Sequence, residues 1–307
     1  EAGSGIGLCE YLCFLYCVSV QFSQTLKRKR VRWKWKMGKR EKKQTGNKKM
    51  SWDLLIPILA GIVLVVSLGK LISVFWGYHQ EAADNKKIEE TFVTWESKEA
   101  TEQEEEVQEE TLPYPALNVD FTALQDSNED TVAWFYWGLF DLSYPVVQGA
   151  DNEEYIHKSF NGEYAKAGTL FLDSGNAADF TSRHSIIYGH DMKDRSMFGK
   201  LKLLLQDTDV EEDPYFYIFT ETEVRKYRVF AYSVISPEDS LYSAVNSDEE
   251  YDTHINRALS LSAYRLPEEE AQQLRERPAL LSLSTCYQHS RRTLVQGYLQ
   301  EVFSLDN

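Results

Sequence analysis

The sequence predicts a mainly β globular domain, a barrel or a sandwich, carried behind one membrane-spanning helix. Three observations predict it. The run Leu54 to Trp76 is 23 residues long and holds one charge, Lys70; about 20 apolar residues cross a bilayer core of roughly 30 Å. After Ala133, short apolar runs recur between turn residues, as strands do, with few helical windows among them. Finally, 18 Tyr, 15 Phe and 7 Trp in 307 residues are ample for a packed core of one or two domains.

Residues 1–53 form a basic segment, with 13 Lys/Arg against 3 Asp/Glu over residues 1–49. Positive charge ahead of an apolar span keeps that side cytoplasmic, so everything after about residue 77 is expected outside the cell. The span is too long for a signal-peptide core and no small-residue cleavage site follows it. Residues 1–36 are expected to lie outside the native protein, with translation starting at Met37 or Met50. The chain opens on Glu1, and the purine-rich codons of Lys27-Arg28-Lys29-Arg30 stand ahead of Met37 as a ribosome-binding site would. Cys9, Cys13 and Cys17 recur every four residues, but no histidine or acidic pattern completes a metal site.

Residues 77–112 are expected as an acidic linker, either helical stalk or tether, because Glu104-Glu105-Glu106 and Glu109-Glu110 are solvated and self-repelling. Residues 113–307 are the globular part. A short helix is expected within Phe121–Trp134. Strands are expected at Ala133–Trp137, Tyr144–Gln148, Gly168–Leu172 and Ser185–His190. Met197–Leu205 suits a short helix. Tyr215–Thr220 and Val224–Ser236 pair as a hairpin around Glu221-Thr222-Glu223. Asp248–Leu261 suits a helix, with Tyr251, Ile255 and Leu259 on one stripe. Leu280–Thr285 and Thr293–Val302 close the chain as two strands around a short loop.

The net charge of −15 belongs to the whole chain, so with a basic start the exported part is more acidic than the total suggests, which argues against nucleic acid, whose phosphates need Lys and Arg. No cluster of Asp, Glu and His in the globular part has metal-ligand spacing, and no cofactor is implied. After residue 17 the chain holds one cysteine, Cys286, at the end of Leu281-Ser282-Leu283-Ser284-Thr285. In an oxidising compartment a lone thiol is either an inert core residue or a nucleophile. A nucleophile needs a base or cation nearby, and donors for the oxyanion. Of six histidines, His157, His184, His254 and His289 lie in polar sequence and are expected at the surface, and His79 stands at the membrane edge. His190 ends an apolar strand, where either a structural or a catalytic role is open to it. Arg291 and Arg292 begin the strand after Cys286; opposite the end of the preceding strand, one of them faces the thiol and the other does not.

Leu283-Ser284-Thr285-Cys286 followed by an arginine resembles the Leu-x-Thr-Cys…Arg signature of sortases, the membrane-anchored cysteine transpeptidases of Gram-positive bacteria. Tyr188-Gly189-His190-Asp191-Met192 with Met197-Phe198, Asp130-Thr131-Val132-Ala133-Trp134, Tyr144-Pro145-Val146-Val147-Gln148, Asp151-Asn152-x-x-Tyr155 and Gly168-Thr169-Leu170-Phe171 resemble class B, in order from about Phe121 to the C-terminus. The resemblance implies a closed β-barrel with an N-terminal helix and a helix before the cysteine-bearing strand. It implies Cys286 as nucleophile, His190 as acid and base, and Arg292 as the arginine, with Ser284, Asn152 and Ile156 contacting substrate. The implied partners are a sorting-signal peptide of an exported protein, often of the Asn-Pro-x-Thr type, and an amine of the cell-wall precursor or a pilin. A hydrolytic cysteine peptidase would use the same thiol and histidine, and a non-catalytic tethered domain would have lost one of the three. The Ser-x-Gly-Cys pattern of L,D-transpeptidases is absent. Two positions depart from the family: Asp191, a carboxylate expected to favour the His190 imidazolium, and Tyr287 directly after the cysteine.

Overall fold

A computed structural model describes residues 52–95, 112–206, 208–286 and 291–305. Residues 1–51 of the basic segment, with Met37 and Met50, most of the acidic run, and Tyr287 and His289 lie outside the described residues. The chain divides into two compact units, Glu1–Ser67 and Leu68–Asn307.

Helix α1 runs Trp52–Phe92, 41 residues. It is long and apolar enough to cross a membrane by length and composition. Its Ile, Leu and Val side chains from Ile56 to Val74 are exposed, unlike those of a core helix. Beyond Gly77 the helix turns polar, yet Ile88 is buried against Phe121 and Leu124. Strand β1 (Val93–Trp95) follows at once and pairs antiparallel with β2 (Leu117–Val119). Of the stretch expected as a linker, residues 77–95 are therefore helix and strand. Two apolar residues, Ile88 and Val93, seat them in a core cluster that the surrounding charge hides from a sequence reading.

Asp120 caps α2 (Phe121–Ser127), its carboxylate accepting the Ala123 N–H at 2.9 Å. The helix is shorter than Phe121–Trp134, because Asn128 leaves it to donate to the Phe160 carbonyl at 2.9 Å. Strand β3 (Thr131–Trp137) sends Phe135 and Trp137 into the barrel and Trp134 outward under α2, as alternation requires. Then come β4 (Leu142–Val147), β5 (Leu170–Leu172) and β6 (His184–His190). Phe198–Leu205 is a 3-10 helix whose Phe198, Leu201 and Leu204 plug the barrel. The expected hairpin is β7 (Tyr215–Phe219) with β8 (Glu223–Ile235).

A 3-10 turn at Ser240–Tyr242 precedes α3 (Asp248–Leu261). Ser247 and Glu250 form a reciprocal capping box at its start. Its buried face is Tyr251, His254, Ile255 and Ala258, whereas Leu259 is exposed. A 3.6-residue period favours 254 and 258 over a strict i+4 stripe. After the short α4 (Glu268–Gln273), β9 (Leu280–Cys286) and β10 (Arg292–Ser304) complete the fold. The strands close into a barrel in the order β10-β8-β7-β3-β4-β5-β6-β9, with β4–β5 and β6–β9 parallel.

Candidate active site

The site grows from the parallel pair β6–β9. Its register sets Ile186 beside Ser282, Tyr188 beside Ser284 and His190 beside Cys286. Neighbouring strands lie about 4.8 Å apart, so His190 and Cys286 are adjacent positions at the same end of two strands. On the other side of β9, β10 pairs Leu294 with Ser284 and Val295 with Leu283. The Thr293 N–H continues this line by donating to Thr285 Oγ1 at 2.9 Å. Carried on by two residues, the same register sets Arg292 opposite Cys286, and Arg291 is one step off it.

Gly189 lets β6 reach this point. A Cβ there would stand 2.4 Å from Leu170 Cδ2 and 2.8 Å from Phe198 Cδ2. His190 is half-buried, and its Nε2 lies 2.7 Å from the Ile156 carbonyl oxygen. A carbonyl only accepts, so Nε2 carries the hydrogen. The His157 ring stacks on His190 with centroids 5.2 Å apart. Asp191 Oδ1 is paired with Lys202 Nζ at 2.6 Å, so the carboxylate next to His190 has its own cation.

Arg292 lies with its guanidinium carbon 5.6 Å from the centre of the Tyr242 ring, within cation–π range. Its Nε is buried with no hydrogen-bond partner among the described residues. Tyr242 Oη and Ser284 Oγ share a hydrogen bond at 2.8 Å, and Ser284 is fully buried. The Tyr188 ring stacks on Tyr242 and its hydroxyl donates to Asp173 Oδ2 at 3.0 Å. Asn152 Nδ2 donates to the same oxygen at 2.8 Å, and Asn152 Oδ1 accepts the Ser174 N–H. The structure thus links Ser284 to Arg292 through Tyr242, and Asn152 to the same wall through Asp173 and Tyr188. Ile156 contributes its carbonyl to His190. Sequence reasoning missed Tyr242, Tyr188, Asp173 and His157. Tyr188 was within reach, two residues before His190 on the same strand face; Tyr242 lies in a short turn that carries no pattern.

Two histidines expected at the surface are buried. His184 Nε2 lies 2.8 Å from Ser282 Oγ, and Gln296 Nε2 lies 2.7 Å from His254 Nε2 and 3.1 Å from the same serine oxygen. Burial depresses His184 to about 4, and burial with the neighbouring His184 depresses His254 to about 3. Both are neutral at pH 7, which is how a closed barrel tolerates them under α3.

Residues 139–300 match the family model described as the sortase domain. Sortase B of Listeria monocytogenes is 28% identical over 184 residues, which are 57% of this chain and 72% of the relative. Sortase B of Staphylococcus aureus is 25% identical over 198 residues, 64% of this chain and 75% of the relative. Among solved structures, sortase B of Bacillus anthracis superposes with a TM-score of 0.58 at 28% identity, covering 74% of this chain and 99% of that one. A class B sortase of Streptococcus pyogenes involved in pilus biogenesis gives 0.51 at 31% identity, covering 59% and 98%. The chain belongs to the sortase family. Its relatives place it in class B, and it is a cysteine transpeptidase on the expected closed barrel.

Proposed function

We propose that Cys286, His190 and Arg292 carry the transpeptidation. The observation that supports this most is the register, with His190 beside Cys286 on one side and Arg292 in line with it on the other. The Cys286 thiolate attacks a backbone carbonyl, usually of Thr, in the C-terminal sorting signal of an exported protein. Arg292, laid on the Tyr242 ring, offers N–H donors to the oxygen that becomes negative. The tetrahedral intermediate collapses, the C–N bond breaks, and His190 gives its proton to the departing amine, leaving a thioester on Cys286. Because the Ile156 carbonyl holds the hydrogen on Nε2, proton traffic runs through Nδ1. An incoming amine of the wall precursor, or of a pilin, then attacks the thioester; His190 takes its proton and the thiolate leaves. Ser284, Asn152 and Ile156 frame the peptide groove. One structural neighbour, the S. aureus sortase B–substrate complex, shows a related barrel holding its substrate.

The apolar half of α1 anchors the enzyme by a single pass, with the basic segment in the cytoplasm and the barrel outside. The reading is tested with an Asn-Pro-x-Thr peptide and an added amine. Intact mass should show a thioester adduct on the native protein and none on Cys286→Ala. His190→Ala should lose at least about 100-fold in turnover. Added amine should divert product from acid to amide. Acid alone at saturating amine would make the enzyme a hydrolase, and transpeptidation by Cys286→Ala would end the proposal.

A further inference from the structure

Two loops frame His190, and both are tied to the polar half of α1. Glu81 accepts the backbone N–H groups of Lys166 and Ala167, at 3.0 Å on Oε1 and 3.2 Å on Oε2. One carboxylate taking two N–H donors is a charge-assisted clamp. The residues flanking it hold the chain beneath His190. Ala165 donates its N–H to the His157 carbonyl at 3.0 Å, and Thr169 donates to the Tyr155 carbonyl at 3.2 Å. Gly168, at φ +59°, passes so close that a Cβ would stand 2.4 Å from the Tyr155 and Ile156 carbonyl oxygens. The Ile156 carbonyl then fixes His190 Nε2, and the His157 ring stacks on the imidazole.

The second loop leaves His190 directly. Asp191 pairs with Met197 across a turn, and Met197 takes a left-handed φ of 50°. Such a conformation is costly for a residue with a side chain and persists only when its neighbours hold it. Here the Met197 N–H donates to Tyr144 Oη at 3.2 Å, and its thioether accepts from Asn85 Nδ2 at 3.6 Å. Glu81 and Asn85 are i and i+4, on one face of α1. Glu90 lies on the exposed side of the same helix, in a loose pair with Lys86.

We propose that residues 77–92 of α1 are a positioning element for His190, with Glu81 and Asn85 as its two positioning residues. The helix continuous with the membrane span thereby sets the direction of the imidazole that exchanges the proton. The inference rests on the role proposed for His190 above.

The test uses the full chain in detergent micelles, with variants Glu81→Ala, Glu81→Gln, Asn85→Ala and the control Glu90→Ala. Three quantities are read: kcat and KM with the sorting-signal peptide and amine, the His190 imidazole resonances by NMR, and the Tm. Glu81→Ala should lower kcat about 10- to 100-fold with KM nearly unchanged, since small misplacements of a reacting group cost this much. It should also move the His190 resonances. Glu81→Gln keeps one acceptor oxygen and should fall between Glu81→Ala and the native enzyme. Asn85→Ala, losing one bond to a soft acceptor, should lower kcat less and move the same resonances. Glu90→Ala should match the native enzyme in all three. Unmoved His190 resonances in Glu81→Ala, with or without a lower Tm, would overturn the proposal, as would an equal effect of Glu90→Ala. Should His190→Ala retain turnover, the catalytic reading falls, while the resonances still decide whether α1 positions the ring.

Discussion

Gly189 occupies a position where space, not conformation, selects the residue. Leu170 and Phe198 crowd it from the barrel interior, so Gly189→Ala must push either a core side chain or the end of β6. The expected cost is about 1–3 kcal/mol in urea unfolding, with a fall in kcat because His190 is the next residue. Native stability and turnover in that variant would mean that the core absorbs a methyl group freely. The two arginines are separated by register rather than chemistry. Arg291 is exposed and precedes β10, whereas Arg292 is half-buried on Tyr242. Arg292→Ala should lose at least about 100-fold in kcat, the scale of one oxyanion donor, and Arg291→Ala should stay near native. The reverse ranking would show that the loop after Cys286 shifts the register by one.

At the scale of elements, α3 is the piece whose hold on the barrel depends on pH. Its capping box and apolar face dock it, but His254 also reaches under it to Gln296 and His184. The folded state holds His184 near 4 and His254 near 3, below the ordinary histidine value of 6.5. Between those values the unfolded chain binds more protons than the folded one. Stability is therefore complete above about pH 6.5 and declines as pH falls towards 4, by on the order of 3 kcal/mol for His184 alone. Thermal melts across this window should show the decline, and His254→Gln should flatten part of it. A Tm independent of pH from 7 to 4 would rule out neutral burial of the pair.

For the whole molecule, closure of the barrel matters most. With no free edge, β9 is held by β6 and β10 together, so its last residue can change without loosening the sheet. Cys286→Ala should keep the native circular dichroism and Tm while losing thioester formation; unfolding would instead make the thiol part of the core. Much of this was legible in the sequence. The membrane-length run, the strand ending in His190, the β7–β8 hairpin and the strand ending in Cys286 are local patterns, and periodicity and apolar runs express them directly. The fate of the other histidines was not legible, because polar neighbours in sequence say nothing of α3 closing over His184 and His254. Nor was the end of the linker, where Ile88 and Val93 acquire meaning only from Phe121 and Leu124. The sequence by itself determined the class of fold, the family, and the thiol and histidine worth examining, since these rest on residues near one another in the chain. Only the tertiary structure decided that Tyr242 joins Ser284 to Arg292, and that Glu81 and Asn85 reach the loops around His190. Those relations join segments from 40 to more than 100 residues apart, and they exist only where strand register and barrel closure bring the segments together.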